Sequence, residues 1–107
     1  MFDFLKGLMG GTDNAELVDA VKNGAFLVDV RTPQEFAAGH VKGSVNIPLD
    51  QVPQNLDKFK GKSKIVVFCR SGNRSGQAKA FLNQNGFTNV INGGSWEDVA
   101  AIVNKNA

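Results

Sequence analysis

The chain lacks most of what would tie it to a metal, a membrane or an oxidising compartment. Its 107 residues include one cysteine and one histidine. A lone cysteine makes no internal disulfide, and one cysteine with one histidine falls short of the ligand set of a zinc site. The apolar stretch Met1–Met9 is far too short to cross a bilayer. With Asp3 and no basic leader it also makes a poor secretion signal. The net charge of +2 is mild, the lysines are scattered, and no basic run is interleaved with aromatics, which argues against nucleic acid. No repeat, low-complexity tract or Asn-Gly hairpin joining two strands occurs. These gaps predict a cytoplasmic protein with no zinc site, no membrane and no nucleic-acid partner.

A hydrophobic content of 42% with 21% charged residues is that of an ordinary soluble domain with its own core. We expect one domain over residues 12–107, preceded by an apolar extension over 1–11. In that extension Phe2, Phe4, Leu5 and Leu8 are candidates for a small contact.

Strand and helix signals alternate along the domain. Thr12-Asp13-Asn14 offers N-cap residues to a helix burying Leu17, Val18 and Val21, and Asn23-Gly24 stops it. Phe26–Val30 reads as a buried strand whose one polar member, Asp29, must find a partner. Arg31 falls on the same side of the strand two residues on. Thr32-Pro33-Gln34-Glu35 is a capping box with proline at the first helical position. Ser44–Pro48 reads as a short strand, and Asp50 as the cap of a short helix burying Val52, Leu56 and Phe59. Gly61-Lys62-Ser63 suggests a phosphate loop, but Leu56 stands where that motif needs its first glycine. After the strand Ile65–Phe68 a helix buries Ala78, Phe81 and Leu82. Phe87–Ile91 is the last expected strand, Asn92-Gly93-Gly94 a turn, and Ser95 the cap of a helix presenting Val99, Ile102 and Val103. Trp96 reads as packing, with a wall of the site as the alternative. The fold class expected is α/β, a small mainly parallel sheet of four to five strands with helices on both faces.

Such sheets gather ligands at the carboxyl ends of their strands. The run Ile65-Val66-Val67-Phe68 ends on Cys69, and Arg70-Ser71-Gly72-Asn73-Arg74-Ser75-Gly76 follows with two arginines and no acid. A cysteine inside an apolar strand is a small inert hydrophobe. At the end of one, before a Gly-rich cationic loop and a helix N-terminus, it is a candidate thiolate nucleophile. The expected site is Cys69 as nucleophile, with Arg70, Ser71, Gly72, Asn73, Arg74 and Ser75 binding an anionic substrate. Asp29 and Arg31 are expected to support it, Asp29 pairing with Arg31 or Arg74 beneath the loop. His40, in a Gly-flanked loop, reads as structural.

Three spaced motifs then resemble those of the rhodanese (thiosulfate sulfurtransferase) family. They are Leu27–Arg31 with Glu35-Phe36 and Gly39–Pro48, the loop Cys69–Ser75, and Gly86-Phe87 through Val90 to Gly93–Trp96. The resemblance spans about residues 15 to 103. The family pattern often opens with a short strand, whereas Met1–Gly11 reads here as helical or irregular. The resemblance implies that Cys69 attacks the outer sulfur of a small anionic donor, becomes a persulfide, and passes that sulfur to cyanide or a thiol. A partner protein carrying a persulfide would also serve as donor, and no cofactor is implied. Arg70 and Arg74 would steer the donor and stabilise the leaving sulfite. Two alternatives stand beside this. One is a non-enzymatic sulfur-carrier or interaction module. The other is a cysteine-based phosphatase or arsenate reductase, whose Cys-x5-Arg loop is one residue longer than Cys69–Arg74.

Overall fold

The computed structural model describes residues 14–106, so the expected extension over 1–11 and the caps Thr12 and Asp13 lie outside it. The elements run α1 (Asn14–Lys22), β1 (Phe26–Asp29), α2 (Pro33–Ala38), β2 (Val45–Asn46), a 3-10 segment (Leu49–Phe59), β3 (Ile65–Cys69), α3 (Asn73–Gln84), β4 (Val90–Ser95) and α4 (Trp96–Lys105). Among the described residues the sheet has four strands in the order β2-β1-β3-β4, and every pair is parallel. All strand C-termini therefore share one edge, and β1 and β3 lie side by side at its centre. The α/β class and the helices on both faces are as the sequence predicts.

All five residues of β3 are buried, as a strand covered on both faces requires. Its side chains alternate between two cores. Ile65, Val67 and Cys69 pack with Val28, Val30, Ala78 and Leu82, under α3 and the 3-10 segment. Val66 and Phe68 pack on the other face with Leu17, Ala20, Ile91 and Val99, under α1 and α4. Cys69 and Phe68, adjacent in the chain, thus serve opposite faces.

Several boundaries differ from expectation. The short helix expected after Pro48 is present as a 3-10 helix, but Asp50 lies in its first turn and does not cap it; Pro48 is the cap residue and makes no side-chain hydrogen bond. Pro53 inside it withholds the N–H that an α-helix needs, and Asn55 departs from helical angles. Val52 and Phe59 are buried as expected, and Leu56 is half-buried. The Thr32 capping box forms in full.

The largest departure concerns β4. It begins at Val90, not Phe87, and runs straight through Asn92-Gly93-Gly94, where a turn was expected. Val67 pairs with Asn92 but Phe68 pairs with Gly94, so Gly93 is the extra residue of a bulge. A Cβ on Gly93 would lie 2.9 Å from Val99 Cγ2 and 3.0 Å from Val66 Cγ1. The glycine is there so that α4 can pack close to the sheet.

Candidate active site

β3 delivers Cys69 to the C-terminal edge, and the chain turns through Arg70–Gly72 into α3. Gly72 takes φ of 99°, a left-handed conformation that costs glycine little. That turn aims the Gly72 N–H at the Cys69 sulfur, 3.1 Å away. Ser75, in the first turn of α3, donates its own N–H to Sγ at 3.4 Å, and its Oγ lies 3.5 Å from the sulfur. Cys69 is 1% exposed, so the thiol forms the floor of this cup.

Burial pushes the Cys69 thiol pKa up, and the hydrogen bonds from the Ser75 hydroxyl and the N–H groups of Ser75 and Gly72 outweigh it. The net shift is downward, toward the thiolate. What meets the sulfur is a helix N-terminus and a nest of amides, with no cationic side chain in hydrogen-bond contact among the described residues.

The two arginines of the loop have different roles. Arg74, expected to face the donor, gives Nη1 to Glu35 Oε1 at 2.9 Å and Nη2 to Glu35 Oε2 at 3.2 Å. The hydrogen bonds from Arg74 first, and the one from the Thr32 N–H second, hold the Glu35 carboxyl down at about 2, and Glu35 in turn raises the Arg74 pKa. The pair ties α2 to the first turn of α3. Arg70 is exposed and makes no ion pair among the described residues. It lines a cleft of about 310 Å³ with Arg31, Glu35, Ala38, Gly39, Trp96 and Glu97. Ser71 and Asn73 sit exposed on the loop rim.

Asp29 finds the nearer of its two expected partners. Arg31 Nε lies 3.0 Å from both carboxylate oxygens, and Nη2 lies 2.7 Å from Oδ2. The position of the pair corrects the expectation that it braces the cysteine loop. Asp29 is in register with Phe68, whose side chain faces α1 and α4, so the pair lies across the sheet from the thiol. There Arg31 Nη2 binds the Gly39 carbonyl at 2.7 Å, and its guanidinium stacks 4.4 Å from the Trp96 ring. The pair therefore supports the wall of the cleft, and Trp96 is both packing and wall. The His40 ring stacks on Phe36 at 3.9 Å, and Nδ1 lies 2.9 Å from the Phe36 carbonyl oxygen, contacts of the kind a structural histidine makes.

Two residues near the site were not expected there. Glu35 was visible as a cap, but nothing local shows that it also reaches Arg74 across 39 positions. Asn92 was read as a turn residue. In fact Ser75 Oγ lies 2.7 Å from Asn92 Oδ1, and Asn92 Nδ2 donates to the Gly72 carbonyl at 3.2 Å.

Residues 13–101 match the Rhodanese-like domain family. The chain belongs to that family. Among curated rhodanese relatives, it is 38% identical over 78 residues to the thiosulfate sulfurtransferase PspE of Escherichia coli (strain K12). That match covers 68% of this chain and 72% of PspE. It is 41% identical over 69 residues to the thiosulfate sulfurtransferase GlpE of Pseudomonas aeruginosa (strain UCBPP-PA14), covering 64% of this chain and 63% of GlpE. A structure of rhodanese with anions from E. coli aligns with a TM-score of 0.64 at 36% identity, covering 70% of this chain and 91% of that one.

Proposed function

We propose that this protein is a sulfurtransferase that carries a sulfane sulfur on Cys69. The Cys69 thiolate attacks the outer sulfur of an anionic donor such as thiosulfate. A sulfur–sulfur bond forms to Cys69, the donor's own sulfur–sulfur bond breaks, and sulfite leaves with the electron pair. A thiolate or cyanide then attacks the outer sulfur of the persulfide, and the Cys69 thiolate is the leaving group. The relatives named as thiosulfate sulfurtransferases support the reaction class.

The observation that carries the reading is the convergence of the Gly72 and Ser75 N–H groups on Sγ, with the Ser75 hydroxyl beside them. Such a cup holds negative charge on sulfur before and after transfer, as an oxyanion hole would on oxygen. Arg70 supplies the steering charge for the donor, since Arg74 is engaged with Glu35. The loop from Cys69 to Arg74 spans six residues. One residue fewer than a phosphatase loop removes at most about 3.3–3.6 Å of chain, which suits a single sulfur over a tetrahedral phosphate. A cytoplasmic location belongs to the same proposal, because a lone reacting thiol is kept reduced there.

Intact mass after incubation with thiosulfate tests this. The wild-type protein should gain one sulfur atom, and Cys69→Ser, with its fold intact, should gain none. A sulfur-loaded Cys69→Ser protein would overturn the assignment. Loading without turnover on cyanide would mark a sulfur carrier instead.

A further inference from the structure

The Ser75 hydroxyl has one proton and two claimants. Cys69 Sγ lies 3.5 Å from Ser75 Oγ, and Asn92 Oδ1 lies 2.7 Å from it. The orientation of the Asn92 amide settles which one holds the proton. Oδ1 also accepts the Gly94 N–H at 2.9 Å, and Nδ2 faces the Gly72 carbonyl oxygen at 3.2 Å. A backbone N–H only donates and a carbonyl only accepts, so a flipped amide would break both bonds. Oδ1 therefore accepts, Ser75 donates to it, and the oxygen's lone pairs are left facing the sulfur.

The bulge in β4 makes this geometry. With Gly93 as its extra residue, Asn92 and Gly94 both turn toward the Gly72 loop, and a Cβ on Gly72 would sit 3.3 Å from Gly94 Cα. Gly94 N and Gly72 O hold the carboxamide in place independently of Ser75.

We propose that Asn92 is a positioning residue that acts on Cys69 through the Ser75 hydroxyl. While sulfur carries its proton, Asn92 holds the hydroxyl and Ser75 Oγ accepts from S–H. When the thiol ionises, its proton leaves to solvent. The hydroxyl then rotates to donate to the thiolate, keeping its own proton and vacating Asn92 Oδ1. The amide thus competes with the thiolate for one hydrogen bond and sets how readily the sulfur ionises. Nothing in this role requires Asn92 to touch a substrate.

Among the described residues, the charged groups around the thiol are Arg70 in its loop, Arg74 on α3 with Glu35 from α2 and, across the sheet, Asp29 of β1 with Arg31. β4 carries no charged residue, and those of the 3-10 segment, Asp50, Asp57 and Lys58, are exposed. All are unchanged by the variants below.

The test is the pH dependence of Cys69 alkylation by iodoacetamide in four proteins: wild type, Asn92→Leu, Ser75→Ala and the double variant. Leucine cannot accept, so with Ser75 present the midpoint should fall by about half a unit, the worth of a modest hydrogen bond. With Ser75→Ala the same substitution should leave the midpoint where it was. An equal shift in both backgrounds would mean that Asn92 only shapes the loop, and no shift or an upward one with Ser75 present would equally overturn the proposal. A second measurement needs no variant. The Gly94 amide proton of the wild type should titrate with the Cys69 midpoint, because Oδ1 loses one of its two donors there, and a flat Gly94 signal would count against the rotation. The inference rests on Cys69 as the reacting thiol. Because alkylation reads the thiolate without any sulfur transfer, the two proposals fail separately.

Discussion

At the ends of the two central strands, on one edge of the sheet, sit Asp29 and Cys69, and their charges are met in opposite ways. Asp29 is fully buried and spends its charge on Arg31, two residues along, through a forked contact of Nε and Nη2. Nothing of that charge is left to react. Cys69 is as deeply buried but has no counter-charge in contact among the described residues; amide N–H groups and one hydroxyl face it instead. Amides stabilise a negative sulfur without quenching it, so the sulfur can hand its charge to a leaving group and take it back. The same edge thus carries a closed charge that holds the cleft together and an open one that can do chemistry.

Breaking the closed charge should have the largest effect on stability. Arg31→Ala leaves Asp29 buried and unpaired, which costs about 3–5 kcal/mol. Chemical denaturation should show this as a large fall in the midpoint. Because the pair lies across the sheet from the thiol, the alkylation midpoint of the remaining folded protein should stay close to wild type. A large shift there would mean that the two charges are coupled.

Breaking the open charge should leave stability nearly unchanged and move reactivity. Ser75→Ala removes the one side-chain donor to the sulfur and keeps the Ser75 N–H. Its alkylation midpoint should rise by about half a unit to one unit. An unchanged midpoint would leave the backbone as the sole source of the effect.

The smallest effect belongs to the Glu35–Arg74 bridge, whose side chains are 27% and 32% exposed. Such a pair is worth at most about 1 kcal/mol. Glu35 falls from 4.5 to about 2 in the folded protein. A lowered carboxylate contributes stability above its unfolded value and loses it as the pH drops from about 4.5 through about 2. Glu35→Gln keeps an oxygen for the Thr32 N–H, which Glu35 Oε1 accepts at 3.0 Å, but removes the charge. The stability gap between wild type and Glu35→Gln should therefore be open at pH 7 and close below about pH 4. A gap that persists at pH 2 would show that the bridge is not its source.

What could be read from the sequence was what is local. The run Ile65–Phe68 could only be a covered strand, the Thr32–Glu35 spacing named its own cap, and Asp29 and Arg31 shared a side by period alone. The cysteine loop was legible for the same reason, since Cys69, Gly72 and Ser75 all lie within one turn of chain. Features made by distant packing were not legible. Gly93 looked like a turn because its crowding comes from Val99 and Val66, on other elements. Asn92 was misplaced with it, and its bonds to Ser75 and Gly72 cross 17 and 20 positions. Arg74 looked free to bind a donor because its partner lies in another helix. Pro53 is the local sign of the 3-10 form that the reading of a short helix left unspecified, since a proline there argues against an α-helix.

The most direct measurement is the rate of Cys69 alkylation in the wild-type protein across pH. If amides and a hydroxyl overcome the cost of burial, the midpoint lies below about 8.5, the value of an unperturbed thiol. A midpoint at or above that value would show that burial wins, and the thiol would then be an inert part of the core.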